Sequence, residues 1–284
     1  WAVPAEFLDS LLSNDIESNS IAAGVDATLL THKRRMLAEV RVLRSEDEHL
    51  LDTERPALQA LFDALRQFGI GYRAELHKRT LERGLLSLIG PNADRAVPRA
   101  PGPGEHQHVA SEVDGHAVRV IRTDLGIDVL CESEHTAAVA AALSARGALP
   151  IDPAVGELVR IERGRPRFGV EIDETTMPQE AGLHERAVSY SKGCYIGQET
   201  VARLYWRGKP NRHLRGLRLS GPAAPGARLV LGDAAVGTLG SFAQSPRHGS
   251  IGLGLIRREA APGDVVSVGE GPESATIVEL PFDE

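Results

Sequence analysis

Cysteine is nearly absent: the 284 residues hold only Cys131 and Cys194. Two thiols cannot build the disulfide framework of a small secreted protein. With no Cys-x-x-Cys pair they form neither a zinc site nor a dithiol redox couple, so no metal is expected and a reducing, cytoplasmic setting is. Long apolar runs are missing too. No stretch approaches the roughly 18 uninterrupted apolar residues of a membrane span, and the opening WAVPAEFLDSLLSNDIE has no basic segment ahead of an apolar one. Neither embedding nor secretion is expected, although a start at Trp1 rather than methionine leaves room for upstream residues. Positive charge is also short, with 32 Lys and Arg against 39 Asp and Glu and a net charge of −7. The molecule as a whole therefore lacks the concentrated basic surface that phosphate contacts require.

What is present is ordinary globular material, 42% apolar and 25% charged, long enough for two or three modules with shared cores. Phe7, Leu8, Leu11, Leu12 and Ile16 recur at helical spacing, which predicts a short amphipathic helix at the start. Ala27–Leu30 and Leu37–Leu43 read as strands of a hairpin around the basic turn His32-Lys33-Arg34-Arg35. Then a pattern occurs twice. In the first copy, His49–Asp52 is a strand, Asp52 or Thr53 can cap, and Pro56 sits in the first turn of a helix. Its stripe of Leu58, Leu61, Phe62, Leu65 and Phe68 ends at Gly69, before another strand from Tyr72 to His77. In the second, Ala117–Arg122 and Ile127–Cys131 are strands, Ser133 can cap, and a helix over 135–145 closes at Gly147.

Two strand-strand-helix units about 70 residues apart predict an α+β fold with antiparallel sheets and helices on one face. The stretch 91–105, rich in Pro and Gly, reads as the junction between them. From residue 213 the texture changes to short β-prone runs, Leu214–Leu219, Ala227–Leu231, Ala235–Leu239, Ile251–Ile256 and Val265–Val268, punctuated by Gly, Pro and Asp. That spacing predicts a small C-terminal barrel or sandwich. The expected modules are 1–95, 96–208 and 209–284.

Chemistry concentrates at Lys192-Gly193-Cys194-Tyr195-Ile196-Gly197-Gln198-Glu199, where two glycines bracket a cysteine ahead of a helix beginning near Gln198. On one reading the helix dipole and the Lys192 ammonium favour the Cys194 thiolate. On the other, Cys194 is a small buried apolar residue and the glycines only permit a tight turn. Downstream, Arg203, Arg207, Lys209, Arg212, Arg215 and Arg218 occur with no acid among them, interleaved with Tyr205, Trp206 and His213. This is either a solvated segment of snorkelling arginines or a polyanion-docking surface.

The chain resembles the YgfZ/GcvT-like family of folate-binding proteins. The likeness is carried by the octapeptide 192–199, by Arg160-Ile161-Glu162 with Gly164 and Pro166, by Pro178 with Glu180-Ala181-Gly182-Leu183, by Arg203, and by Phe7-Leu8 with Ser13-Asn14-Asp15 and the 30–42 segment. The resemblance implies an aminomethyltransferase-like fold, a central funnel for tetrahydrofolate and a C-terminal β-barrel. It implies roles in iron–sulfur enzyme maintenance and tRNA modification, with Cys194 as functional centre and Lys192 beside it. Arg160 would lie near the folate, and Asp124 or Asp128 would hold the pterin. Glu162, Tyr195, Gln198 and Glu199 complete the implied cofactor-binding set. Iron–sulfur proteins, and tRNA through 203–218, are the implied partners. Departures set aminomethyl transfer second: 51–58 lacks a counterpart to the family's catalytic aspartate, and its Gly-Tyr-Thr-Gly-Glu segment is absent. A non-enzymatic folate-dependent adaptor for RNA or a protein partner is third.

Overall fold

The computed structural model describes residues 4–33 and 35–282. Trp1, and Arg34 of the basic turn, lie outside the described residues. Helix α1 (Ala5–Leu11) turns Phe7, Leu8 and Leu11 inward, onto an antiparallel sheet of β1 (Gly24–Leu30), β2 (Met36–Arg44) and β3 (His49–Thr53). Strand β2 alternates strictly over its first seven residues: Met36, Ala38, Val40 and Val42 are buried in the core, and Leu37, Glu39 and Arg41 point the other way. Helix α2 (Arg55–Phe68) begins with Pro56 and buries Ala57, Leu61, Ala64 and Leu65; of the expected stripe, Phe68 is outside. Neither proposed cap is used, because the Thr53 hydroxyl donates across the sheet to the Glu39 carbonyl at 2.6 Å.

The strand expected at 72–77 is irregular. The Tyr72 ring lies 4.9 Å from that of Phe7, and Ala74 and Leu76 pack on the first core, so side chains rather than a ladder hold the segment. The strand comes later, as β4 (Arg83–Ile89), in a four-stranded antiparallel sheet ordered β4-β7-β6-β5 with β5 (His108–Val113), β6 (His116–Arg122) and β7 (Gly126–Glu132). The sequence-based 95/96 boundary thus falls inside this unit. The proline-rich loop, with α3 (Ala93–Ala96), carries the chain from one edge of the sheet to the other. Helix α4 (Thr136–Ala145) covers it and ends, as expected, at Gly147 with φ 98°.

Helix α5 (Pro153–Glu162) is not among the elements expected from the sequence, although its start is legible: Asp152 caps the Ala154 amide at 2.8 Å and Pro153 opens the helix. Residues 163–197 are almost wholly irregular, yet Phe168, Ile172, Ala181, Leu183, Ala187, Val188 and Tyr195 complete the first core. Each large apolar group there contributes about 1.5–3 kcal/mol by burial. Ser13 and Asn14 hold this return segment on β1: the Ser13 hydroxyl donates to the Ala187 carbonyl at 2.6 Å, and the Asn14 amide donates to the carbonyls of Asp26 and Arg186 at 2.7 and 3.0 Å. Helix α6 (Gln198–Arg207) leads to a closed barrel of β8 (Arg212–Leu219), β9 (Arg228–Leu231), β10 (Ala234–Ser245), β11 (Gly249–Arg257), β12 (Val265–Val268) and β13 (Ser274–Val278). Of these six barrel strands, β13 alone is not among those expected from the sequence.

Candidate functional site between the sheets

Residues directly opposite in an antiparallel pair share a face. The register therefore sets Asp26, Arg41 and Asp52 in one row across the first sheet, and Thr28 with Glu39 in the next. This face meets the second sheet, where Ser87, Asp128 and Ile121 form a matching row. Arg41 joins the two, donating to Asp52 at 2.6 Å and to Asp128 at 2.7 Å, while Ser87 donates to Asp128 at 2.7 Å. Burial works against its charge, but the two carboxylates more than offset that and the Arg41 pKa is raised. Beside this bridge a cavity of about 480 Å³ opens between the sheets. Leu43, Leu50, Leu58, Phe62, Leu85 and Leu130 form apolar wall, and Arg55, Lys78 and Arg79 are its exposed cations.

At the other end of the face, Arg186 donates to Asp26 at 2.7 Å and to Glu105 at 2.8 Å, and His106 Nε2 lies 3.1 Å from Asp26. Burial alone would raise the Asp26 pKa; His106 and Arg186 reverse this and hold it below the usual range. Asp26, Glu105 and His106 bring ligand atoms within 4.8 Å of one another, but Arg186 already engages both carboxylates, which makes the group an ion-pair cluster rather than an ion cage. Glu39 differs. Its carboxyl makes no hydrogen bond among the described residues, and protein packed around it pushes its pKa up to about 8. Burial is the main cause, the charges of Asp26 and Glu54 add to it, and Arg186 opposes it. At neutral pH Glu39 is therefore a neutral acid with one donor and one acceptor to offer.

The cysteine loop packs against the end of β1. Gly197 has φ 86°, a conformation that favours glycine, and a Cβ there would approach the Thr31 carbonyl at 3.1 Å and the Leu30 Cβ at 3.3 Å, at the end of β1. Cys194 is exposed and unpaired, in the non-helical segment before α6, and Gln198 braces the turn by donating to the Gly193 carbonyl at 3.2 Å. Lys192 does not stand beside the thiol as a charge partner. Its buried ammonium faces inward to the end of α1, donating to the carbonyls of Asp9, Leu12 (2.9 Å) and Asn14 (3.0 Å) and pairing with the Asp9 carboxylate at 3.1 Å. Desolvation lowers its pKa, against the pull of Asp9. The residue is a clamp for the loop.

The remaining sequence-derived residues scatter. Asp128 lies on the inter-sheet face, and Asp124 pairs with Arg165. Arg160 is a buried hub whose guanidinium donates to Glu157, Glu171, Ser241 and the Arg165 carbonyl, which leaves no N–H for a ligand. Glu162 accepts from Ser245 at 2.6 Å, Tyr195 is buried in the first core, and Glu199 is exposed and paired with Arg203. Asp26, Glu39, Arg41 and Arg186 were missed. For Glu39 and Arg41 the one signal, charge at alternate positions of β2, also marks any strand with a solvated face; Asp26 on β1 and Arg186 in the irregular return segment carry none.

The chain is similar to several known proteins. No family model matches the chain. A chloroplastic transferase of Arabidopsis thaliana is 29% identical over 98% of this chain and 67% of its own length. An aminomethyltransferase of Rubrobacter xylanophilus is 31% identical over 73% of this chain and 59% of its own. A tRNA-modifying protein YgfZ of Vibrio vulnificus is 28% identical over 69% of this chain and 58% of its own. The crystal structure of the glycine cleavage system aminomethyltransferase T from Bartonella henselae superposes with a TM-score of 0.85 at 24% identity, covering 100% of this chain and 82% of that one. The chain thus spans about three-fifths to two-thirds of the length of these curated relatives.

Proposed function

Because the chain belongs to the YgfZ/GcvT-like family, we propose that it binds tetrahydrofolate between its two sheets and acts through Cys194. The observation that carries this reading is Glu39, a shielded carboxyl without a hydrogen-bond partner among the described residues. A neutral carboxylic acid can donate to and accept from the amide-and-amino edge of a pterin. One step along β2, Arg41 marks the end of the cavity, whose leucines suit a flat ring system and whose exposed Arg55, Lys78 and Arg79 suit the carboxylates of a glutamate tail. Tetrahydrofolate would supply a one-carbon carrier there. The chain's own residues do the rest: Glu39 holds a proton, Arg41 keeps Asp52 and Asp128 fixed, Lys192 anchors the loop, and Cys194 offers a nucleophile open to solvent.

The role we assign is YgfZ-type support of iron–sulfur enzymes and tRNA modification through that thiol, in a reducing compartment that suits two unpaired cysteines. Docking of tRNA through 203–218 rests on fewer groups than the run of cations implies. Arg203 pairs with Glu199, Arg212 with Glu180 and Arg215 with Glu279, so the exposed cations with no ion pair among the described residues are Arg207 and Lys209, beside Trp206. Glu39 also favours aminomethyl transfer as a second reading, since it sets an acid on the inter-sheet face while 51–58 offers no catalytic aspartate.

The test is a titration with tetrahydrofolate and 5-formyltetrahydrofolate on wild type, Glu39→Leu and Cys194→Ser. Glu39→Leu is expected to weaken binding about tenfold or more, through loss of the donor–acceptor pair. Cys194→Ser is expected to bind normally and to lose activity in a tRNA-modification assay. If neither folate binds wild type, the proposal fails; if Cys194→Ser stays active, the thiol's role does.

A further inference from the structure

A second cavity, sharing no lining residue with the first, forms where the β1–β2 turn and the 173–180 loop meet the ends of β8 and β11. It encloses about 440 Å³ and is lined by four arginines, Arg35, Arg212, Arg257 and Arg258, against two acids, Glu180 and Glu259. The barrel register makes Arg212 and Arg257 direct cross-strand partners. Like charges facing each other in this way are destabilising unless something neutralises them.

The acids do so only in part. Glu180 is buried and takes both Arg212, at 2.8 Å, and Arg35, at 3.9 Å, while Glu259 takes Arg257 at 3.3 Å. Four cations against two carboxylates leave two positive charges in one concavity, on a molecule whose net charge is −7. The frame around them is pinned. Arg212 donates to the Thr175 carbonyl at 2.8 Å, and the Arg258 amide donates to the Asn211 carbonyl at 2.9 Å, which ties the end of β11 to the start of β8. Arg257 and Arg258, which line the cavity, are both exposed. Guanidinium groups on a fixed frame match the oxygens of a phosphate by paired, charge-assisted hydrogen bonds. Just ahead in the chain stand exposed Arg207 and Lys209 and, 70% exposed, Trp206, so the positive surface continues beyond the cavity.

We propose that this arginine cavity is a phosphate-binding site, independent of the folate cleft. Its ligand is a phosphate group, either of a small phosphorylated molecule or of a single-stranded RNA backbone. The experiment is calorimetric titration of the full chain, at low salt, with pyrophosphate, with a short oligoribonucleotide and with oligoglutamate. Each is repeated on Arg257→Glu/Arg258→Glu and on Arg258→Ala. Pyrophosphate is expected to bind wild type, and the double variant to lose about tenfold or more of that affinity, with its unfolding midpoint and its tetrahydrofolate titration unchanged. Tighter binding of the oligoribonucleotide, lost in the same variant, assigns the phosphate to RNA; binding of pyrophosphate without the oligoribonucleotide assigns it to a small molecule. The proposal is overturned if neither phosphate ligand binds at millimolar concentration, if the charge-reversed variant binds as well as wild type, or if oligoglutamate binds as tightly as pyrophosphate.

Discussion

The two strand–helix units close their cores by different routes. The second is self-contained: its buried apolar residues, from Ala93 to Leu143, all come from its own stretch of chain. The first is finished by a segment from far downstream, Phe168 to Val201, which returns to cover β1 and β2. A core completed from a distance brings loops with it. Arg186 arrives at Asp26 and Gly197 at Leu30 because Phe168, Leu183 and Tyr195 have to be buried there. The unpartnered carboxyl and the exposed thiol both belong to the unit that borrows, and the self-sufficient unit contributes a wall.

The hardest way to break this contrast is at the hub that holds the return segment. Arg160→Met strands Glu171, whose side chain is fully buried, and should cost about 3–5 kcal/mol in urea unfolding. A loss below about 1 kcal/mol would mean that the guanidinium is free to serve a ligand instead. Next comes a matched pair. Phe168→Ala in the first core and Leu143→Ala in the second should each cost about 2–5 kcal/mol. Only Phe168→Ala should also abolish the folate titration; equal loss of binding in both would erase the distinction between the units. The smallest effect sharpens the site itself. The Glu39 pKa of about 8 in the folded state lies above its ordinary value of 4.5, so the folded state binds the extra proton between those limits. Stability should therefore fall as pH rises from 4.5 to 8 and level off above it. Glu39→Gln should remove that slope, gaining stability at pH 8 and nothing near pH 4.5, as read from unfolding midpoints across the range.

Local patterns were legible where local physics decides. The alternation in β2, the proline-started α2, Gly147 after α4 and the Gly-punctuated barrel strands all read correctly, because each follows from backbone preference and the burial of one face. The strand at 72–77 read wrongly, since a short alternating run cannot tell a ladder partner from side-chain packing. Lys192 was placed beside Cys194 on adjacency in the chain, but neighbours in an irregular loop can point opposite ways, and here the ammonium faces the end of α1.

By itself the sequence determined the element types, the repeated unit, the barrel and the cysteine turn, since these depend on propensities and periodicities within a dozen residues. Tertiary structure alone decided which charges converge. Asp26, Glu39, Arg41, Asp128 and Arg186 come together through strand register and a long-range return of the chain. What raises one carboxyl's pKa and lowers another's is the protein packed around each, a property that no window of sequence contains.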